Sequence, residues 1–576
     1  MNRVYRLLSI LILAALLVSC AQATTQPTTA PTQEPAQPTV QAPVPTVAPT
    51  QAPTQPPAPT EPPVVSRPII IIASDNESSA DPAENWAFGG AAYLPQVYDS
   101  LFRFVGESSP TLEPLLAAEI PTTDNGGISK DGLVYTIKLK PDLKFHDGSA
   151  LNADAVVYSY DRIKALKLGP DGIAATWIST TEKIDDQTVK FTLTKPFSDF
   201  LNAMSSVWGN YIVNPTVCKA HETNNDWCHA WLLENEAGSG PYQMTKYDKA
   251  NNQVTLERFK DYWGGWTNSK PIEKAVYIWL ADPTVARQML EKGDADIAIN
   301  LPATDFAALE KASGFVAKKY ASIMQYYIAL NGSSKPLDNP KVRQALQYSF
   351  DYDKVISDIF LGSLLKMQAA VGPGYPDVYP AKTQYTFDLD KAKSLLKDAG
   401  YASGFELSAN AIGAMPNDTS VLEFWQADLA KIGITLKIQN VDYGTFDAAW
   451  NRCKATTTPN IGQVSALGVG GDYPSAWEVM AQVFPTPRLS TDPCSIVYIN
   501  DPTVNDLSTK ITETVDPAQR KDLFQKLYDT LADDAGAIWL GQGVDTVALR
   551  DVVQGYQYYF SLGGNYVPLA QMSLTK

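Results

Sequence analysis

Histidine is scarce in this chain: 576 residues contain only His146, His221 and His229. A histidine-built metal centre has little to draw on, and so does a Ser-His-Asp relay. Gly-x-Ser-x-Gly, His-Glu-x-x-His and Walker sequences are all absent, which removes the commonest hydrolase and nucleotide-binding signatures. Cysteine is sparse too, with five residues and no Cys-x-x-Cys. Positive charge is outnumbered, 46 Lys and Arg against 62 Asp and Glu, and the net charge of -16 argues against nucleic acid as a partner. No cofactor and no resident metal are expected.

What the chain does have begins at its N-terminus. Arg3 and Arg6 precede an apolar run, Leu7 to Val18, that is too short to span a bilayer comfortably. It ends in Leu17-Val18-Ser19-Cys20, which resembles a bacterial lipobox. Residues 1–20 then read as a lipoprotein signal peptide, and Cys20 as the lipid-bearing first residue of an exported, membrane-tethered protein. Several acyl chains hold a protein on a membrane where one does not. Residues 21–67 follow as a Pro/Thr/Gln-rich linker, with Glu34 and Glu61 its only acids up to Pro63. Such a segment cannot bury a core and favours extended polyproline II, with a reach on the order of 130 Å.

Export gives the remaining cysteines a meaning. Cys218, Cys228, Cys453 and Cys494 are even in number, as two disulfides require in an oxidising compartment. Cys218–Cys228 would close a short loop, leaving Cys453–Cys494 as the second pair. Zinc at Cys218, His221, Cys228 and His229 is the alternative, although that spacing fits no common structural zinc pattern.

Periodicity marks an α/β chain. Pro68 to Ala73 holds a continuous isoleucine run, the pattern of a strand buried on both faces. Asp75 to Gly90 reads as a loop and about Ala91 to Phe102 as a helix. Leu133, Tyr135, Ile137 and Leu139 alternate as a strand; Asp147-Gly148 makes a turn, and Asn152 caps a helix with Val156, Val157, Tyr160 and Ile163 on its apolar face. Further helices start at Asn339-Pro340 and Asp388, the latter stopped by Gly400. His146 and Asp147 are not an acid–base pair, because neighbours in an extended segment point to opposite faces.

Several blocks in this order resemble family 5 of the extracytoplasmic solute-binding proteins, the receptors of dipeptide, oligopeptide and nickel ABC importers. They are Lys144-Phe145-His146-Asp147-Gly148, Gly238-Ser239-Gly240-Pro241-Tyr242, Asp261-Tyr262-Trp263-Gly264-Gly265, Gly293-Asp294-Ala295-Asp296-Ile297, Asn339 to Leu346, and Asp388 to Gly400. The resemblance implies a two-lobed, α/β periplasmic-binding-protein type II fold with crossing hinge strands. It places lobe I at 68–322, with an inserted subdomain at about 100–230. Lobe II follows at 323–540, and 541–576 returns to lobe I. It also implies a non-enzymatic role: a monomeric receptor that closes around a small solute and hands it to a permease and its ATPase subunits.

The resemblance further implies where ligand binds. Gly468-Val469-Gly470-Gly471-Asp472-Tyr473-Pro474 matches the family loop whose Asp pairs with a peptide's α-ammonium. Asp472 takes that part, while Gly468 and Gly470 offer backbone groups to an extended ligand. Phe88, Gly89 and Gly90 are the expected contribution of lobe I. Tyr443, Trp450 and Trp477 are candidate cleft aromatics or core, and Arg452 and Arg488 are candidates for a ligand carboxylate. Val469 and Ser475 depart from the family's usual Trp and acid. Peptide is therefore the leading solute, with an oligosaccharide second and a nickel chelate third; a secreted hydrolase or a surface adhesin is the reading from another class.

Overall fold

The isoleucine run forms strand β1 (Ile69–Ala73), and its two-sided burial follows from a parallel neighbour on each edge. The computed structural model describes residues 67–575, apart from 74–78, 109, 281, 283, 414, 443, 447–461, 485–496, 498–500 and 563–564. The signal peptide and linker, and with them Cys20, lie outside the described residues. So do Tyr443, Trp450, Arg452, Cys453, Arg488 and Cys494.

In chain order the strands that matter next are β2 (Val134–Lys138), β3 (Ile178–Asp185), β4 (Thr188–Leu193), β5 (Tyr242–Asp248), β6 (Gln253–Arg258), β7 (Lys274–Trp279), β8 (Ile297–Ile299), β9 (Phe315–Leu330), β10 (Phe405–Ala411), β11 (Ile434–Asn440), β12 (Val464–Gly470) and β13 (Ala537–Arg550). One eleven-stranded sheet runs β11-β10-β12-β9-β13-β8-β1-β7-β6-β5, with the short strand Leu364–Leu365 also on β13. Strands β2, β4 and β3 form a separate antiparallel sheet. The helices used below are α1 (Phe88–Val97), α2 (Ala153–Leu166), α3 (Pro340–Tyr348), α4 (Leu389–Asp398), α5 (Asp418–Ala430), α6 (Ala476–Val483), α7 (Pro502–Glu513) and α8 (Pro517–Asp534). The expected caps are present: Asn152 on α2, Asn339 on α3 and Asp388 on α4 each accept a backbone N–H, satisfying donors that a helix start leaves orphaned.

Strands β9 and β13 are far longer than their neighbours and carry the chain between two cores. At one end Ile69, Tyr277, Trp279 and Val567 are buried together. At the other, Ile328, Leu346, Leu436 and Trp425 pack around α3 and α5, with the Trp425 indole donating to Ser349 Oγ at 2.9 Å. A third core is continuous from the small sheet (Tyr135, Phe191, Phe200) to α6, α7 and α8 (Trp477, Ile511, Phe524). The β9–β13 ladder breaks midway: Ala321 pairs with Val544 and Gln325 with Gln542, so three residues face Gly543 alone. That bulge interrupts the two long strands that the family resemblance makes the hinge.

The glycines of the Gly238–Tyr242 block serve close packing. A Cβ on Gly238 would stand 2.0 Å from the Val97 carbonyl oxygen, and one on Gly240 would stand 2.4 Å from that of Gln96. Both obstacles are backbone at the end of α1. Gly240→Ala must therefore displace main chain, and a loss of about 1–3 kcal/mol is expected in urea unfolding at constant m-value.

Candidate functional site

The loop Gly471–Ser475 leaves β12 and enters α6, and its backbone is held at several points. Gly471 N–H donates to Tyr375 Oη at 3.1 Å, and that hydroxyl donates to the Ile323 carbonyl at 2.7 Å, inside the hinge bulge. Asp472 N–H donates to Glu478 Oε2 at 3.0 Å, and its carbonyl accepts from Ser206 Oγ at 2.7 Å. Ser475 caps α6 through the Glu478 N–H. Ser-x-x-Glu is capping-box spacing, but here the carboxylate reaches further back, to Asp472. The half-buried Asp472 of the loop and the fully buried Glu478 of the first turn of α6 are two acids close together, which favours a cationic group in front of them.

Strand β12 is paired unequally. On one side β9 pairs with all of it, from Leu330–Val464 to Met324–Gly470. On the other, β10 pairs only with Val464, Ser465 and Ala466. Among the described strands, none pairs with Leu467–Gly470 on that edge. Gly470 keeps its small size against Met324, whose sulfur would be 2.8 Å from an added Cβ. Its carbonyl accepts from Gln482 Nε2 at 3.3 Å.

Phe88, Gly89 and Gly90 lie in the first turn of α1 rather than in a loop. Gly90 N–H is already spent on the Ala87 carbonyl (3.0 Å), and an added Cβ there would strike the Asn85 side chain. Phe88 meets Trp208 edge-on at 5.9 Å, and Trp86 stacks on the same ring. Trp208 N–H donates to Ser206 Oγ, the hydroxyl that holds the Asp472 carbonyl, so the first helix and the Asp472 loop converge on Ser206. Sequence reasoning missed Ser206, Tyr375 and Glu478. Only Glu478 had a local signal, the Ser475-x-x-Glu478 spacing.

Trp477 is corrected to core. Its side chain is buried edge-on to Phe197 (5.4 Å) and Trp177 (6.4 Å), and its indole donates to Ser508 Oγ. The Cys218–Cys228 disulfide is also corrected: the two are free, buried thiols in side-chain hydrogen-bond contact. The bond from Cys228 lowers the Cys218 pKa against the cost of burial, and the Arg162 guanidinium adds to that pull. Arg162 itself is fixed by the buried Asp81, which also binds His229 Nδ1 at 2.8 Å. His221 stacks on Trp231 instead. Among the described residues, no group of three or more His, Cys, Asp or Glu could hold a metal ion.

His146 ties two of the sequence blocks together. Its Nδ1 lies 2.9 Å from Glu236 Oε1 and its Nε2 lies 2.9 Å from the Gly240 carbonyl. Both partners are acceptors, an arrangement that favours the doubly protonated ring, in which both nitrogens donate. Burial opposes that charge, yet the Glu236 carboxylate outweighs it and the pKa is raised. Asp147 turns away to Ser149 and Asn214.

Bacterial extracellular solute-binding proteins, family 5 middle region, is the family whose description matches residues 111–488. The chain is 29% identical over 422 residues to the glutathione-binding protein GsiB of Pectobacterium atrosepticum, covering 72% of this chain and 79% of that one. Among solved structures, HbpA2 from Haemophilus parasuis matches with a TM-score of 0.76 at 23% identity, over 88% of this chain and 100% of that one. A dipeptide binding protein from Pseudoalteromonas sp. SM9913, in complex with Met-Leu, matches with a TM-score of 0.72 at 21% identity, over the same shares. These structural likenesses carry the fold.

A group whose pKa rises on folding stabilises fully below its unfolded value and loses that contribution as pH climbs through the folded one. For His146 the unfolded value is about 6.5. His146→Gln should therefore cost about 1.5–3 kcal/mol at pH 5.5 and less at pH 9, read as the gap between the two proteins' unfolding curves.

Proposed function

The chain belongs to the family 5 bacterial extracellular solute-binding proteins, the non-enzymatic binding components of ABC importers, and from that membership we propose that its solute is a short peptide with a free α-ammonium. The observation that carries the reading is the half-open edge of β12 beside the acidic Asp472 loop. Antiparallel ladders direct alternate residues toward and away from the partner strand. Gly470's carbonyl turns to Gln482, away from β9, and Gly468 has the same parity. An extended peptide can add to that edge as a further strand, with Asp472 taking its ammonium in a charge-assisted bond. The relative GsiB is named for glutathione, a short anionic peptide, and the dipeptide binding protein holds Met-Leu; both support the same solute class.

Closure follows the lobe assignment given above, with β9 and β13 as the crossing strands. We further propose that Cys20 carries the lipid anchor and that residues 21–67 let a monomeric receptor reach its permease. Phe88 contributes an apolar wall through Trp208, whereas Gly90 acts by fitting α1 closely against Asn85 and Gly89 lies buried beside it.

Calorimetry and thermal shift with glutathione, Met-Leu, an oligosaccharide pool and nickel chelates test the solute. A peptide at ~100 times its Kd adds about 2.7 kcal/mol to stability. Asp472→Asn should weaken peptide binding by about 10–150-fold, the worth of one hydrogen bond to a charged group. Stabilisation by sugars alone, or an Asp472→Asn protein that binds peptide as before, would remove this assignment.

A further inference from the structure

The Asp472 loop is gripped from across the hinge by a segment that no sequence block singled out. Residues Phe197–Ser206 follow the small sheet and precede the crossing strand β9; α6, α7 and α8 lie between β9 and β13. Contacts between these two parts therefore join what the hinge would separate. Ser198 N–H donates to the Thr512 carbonyl at 2.7 Å, and Ser198 Oγ donates to that of Ile511 at 3.0 Å. Arg520 reaches back with Nη1 on Ser198 Oγ (2.8 Å) and Nη2 on Asp199 Oδ1 (3.0 Å). Ser475 Oγ donates to Asp199 Oδ2. Phe197, stacked on Trp177 at 4.0 Å, meets Trp477 edge-on and completes the contact.

We propose that Asp199 and Arg520 form an interlobe clasp, made only in the closed form, that positions the Asp472 loop through Ser475 and Ser206. The proposal rests on the reading that this loop meets the ligand. Asp199 is 2% exposed and Arg520 12%; Arg520 also has Asp377 at 3.7 Å, so a half-made clasp leaves the buried Asp199 carboxylate without its Arg520 partner. Such a contact is complete or broken, as a two-state closure needs. Ser475 sits at the crossing point: it receives Glu478 N–H as the α6 cap while donating to Asp199, and Glu478 holds Asp472 N–H. Asp199 is thus a positioning residue, and the apparent affinity follows the fraction of molecules in which the clasp is made.

The Ser198 amide reports the clasp directly, because its acceptor lies across the hinge. Hydrogen exchange is followed by mass spectrometry on the full-length protein, wild type, Arg520→Gln and Arg520→Lys, with and without glutathione. Arg520→Gln should speed exchange of the peptide containing Ser198 by about tenfold or more, the conservative Lys should restore part of the protection, and the β1 peptide should not change. His146→Gln, a destabilising change distant from the clasp, should leave Ser198 as in wild type. Unchanged protection in Arg520→Gln, or exchange that rises equally throughout the chain, overturns the clasp. With glutathione, Ser198 should be protected further in wild type, and Kd should weaken about 5–150-fold in Arg520→Gln. If Arg520→Gln frees Ser198 but Kd is unchanged, the coupling to the Asp472 loop is overturned. If glutathione and Met-Leu both fail to bind while Arg520→Gln still frees Ser198, the clasp stands and the peptide reading falls.

Discussion

Two strands carry the chain between its lobes, and both are interrupted at the same level. Three residues of β9, Ser322 to Met324, face Gly543 alone on β13, and Leu540 is the extra residue one turn of the ladder later. A bulge leaves backbone groups without ladder partners, and buried groups must find others. Two glutamines supply them. Gln542 donates from Nε2 to the Ser322 carbonyl at 2.7 Å and accepts Gly374 N–H at 2.8 Å, while Gln325 accepts Gly372 N–H. Gly372 and Gly374 are glycines because a Cβ on either would enter the Gln542 side chain. Tyr375, one residue on, joins Ile323 in this bulge to Gly471 in the Asp472 loop. The break in the ladder and the Gly471–Ser475 loop are therefore one hydrogen-bonded assembly, which ties the geometry of the crossing strands to the position of Asp472.

Local features of this assembly were legible in the sequence, and its long-range ones were not. Caps at Asn152, Asn339 and Asp388, the buried isoleucine strand and the Tyr135–Ile137–Leu139 alternation each depend on residues within one turn or strand. They held because local propensity and tertiary context agree there. The first helix begins at Phe88 rather than Ala91: Gly89 and Gly90 in its first turn read locally as a loop, while Gly90 fits against Asn85. Asp199 with Arg520, or Ser206 with Asp472, are pairs 321 and 266 residues apart. Nothing in the spacing of either segment announces the partner. Cys218 and Cys228 show the converse: parity and a short loop point to a bond, while the structure holds two thiols beside Arg162.

The family's hallmark blocks also acquire a physical meaning. His146 of the first block donates to Glu236 and to the Gly240 carbonyl of the second. Ser239 of the second and Trp263 of the third both donate to Asp99, whose carboxyl burial pushes up to about 6 against the pull of those bonds. All three blocks thus converge on the end of α1, where Gly238 and Gly240 press against the Val97 and Gln96 carbonyls. Their residues build the first lobe's frame and do not touch the Asp472 loop in any contact described above. The signature that identifies the family is a signature of the scaffold, which is why it leaves the solute undetermined.

In the proposed closure, opposed terms act against one another across the Phe197–Trp477 contact. Burying these aromatic faces favours the closed form with or without solute. Burying Asp199 and Arg520 opposes it, since each ion gives up hydration worth several kcal/mol and recovers it only through complete pairing. When such terms nearly cancel, a solute can decide the outcome. Moving a two-state equilibrium from 1:99 to 99:1 takes about 5.5 kcal/mol of differential affinity. Hydrogen bonds to charged groups contribute about 1.5–3 kcal/mol each, so two or three made only in the closed cleft are sufficient. Under the proposed assignment an ammonium on Asp472 would supply one such bond, and neutral backbone bonds along the open edge of β12 would add about 0.5–1.5 kcal/mol each. A solute lacking the ammonium would forgo the largest of these contributions to closure.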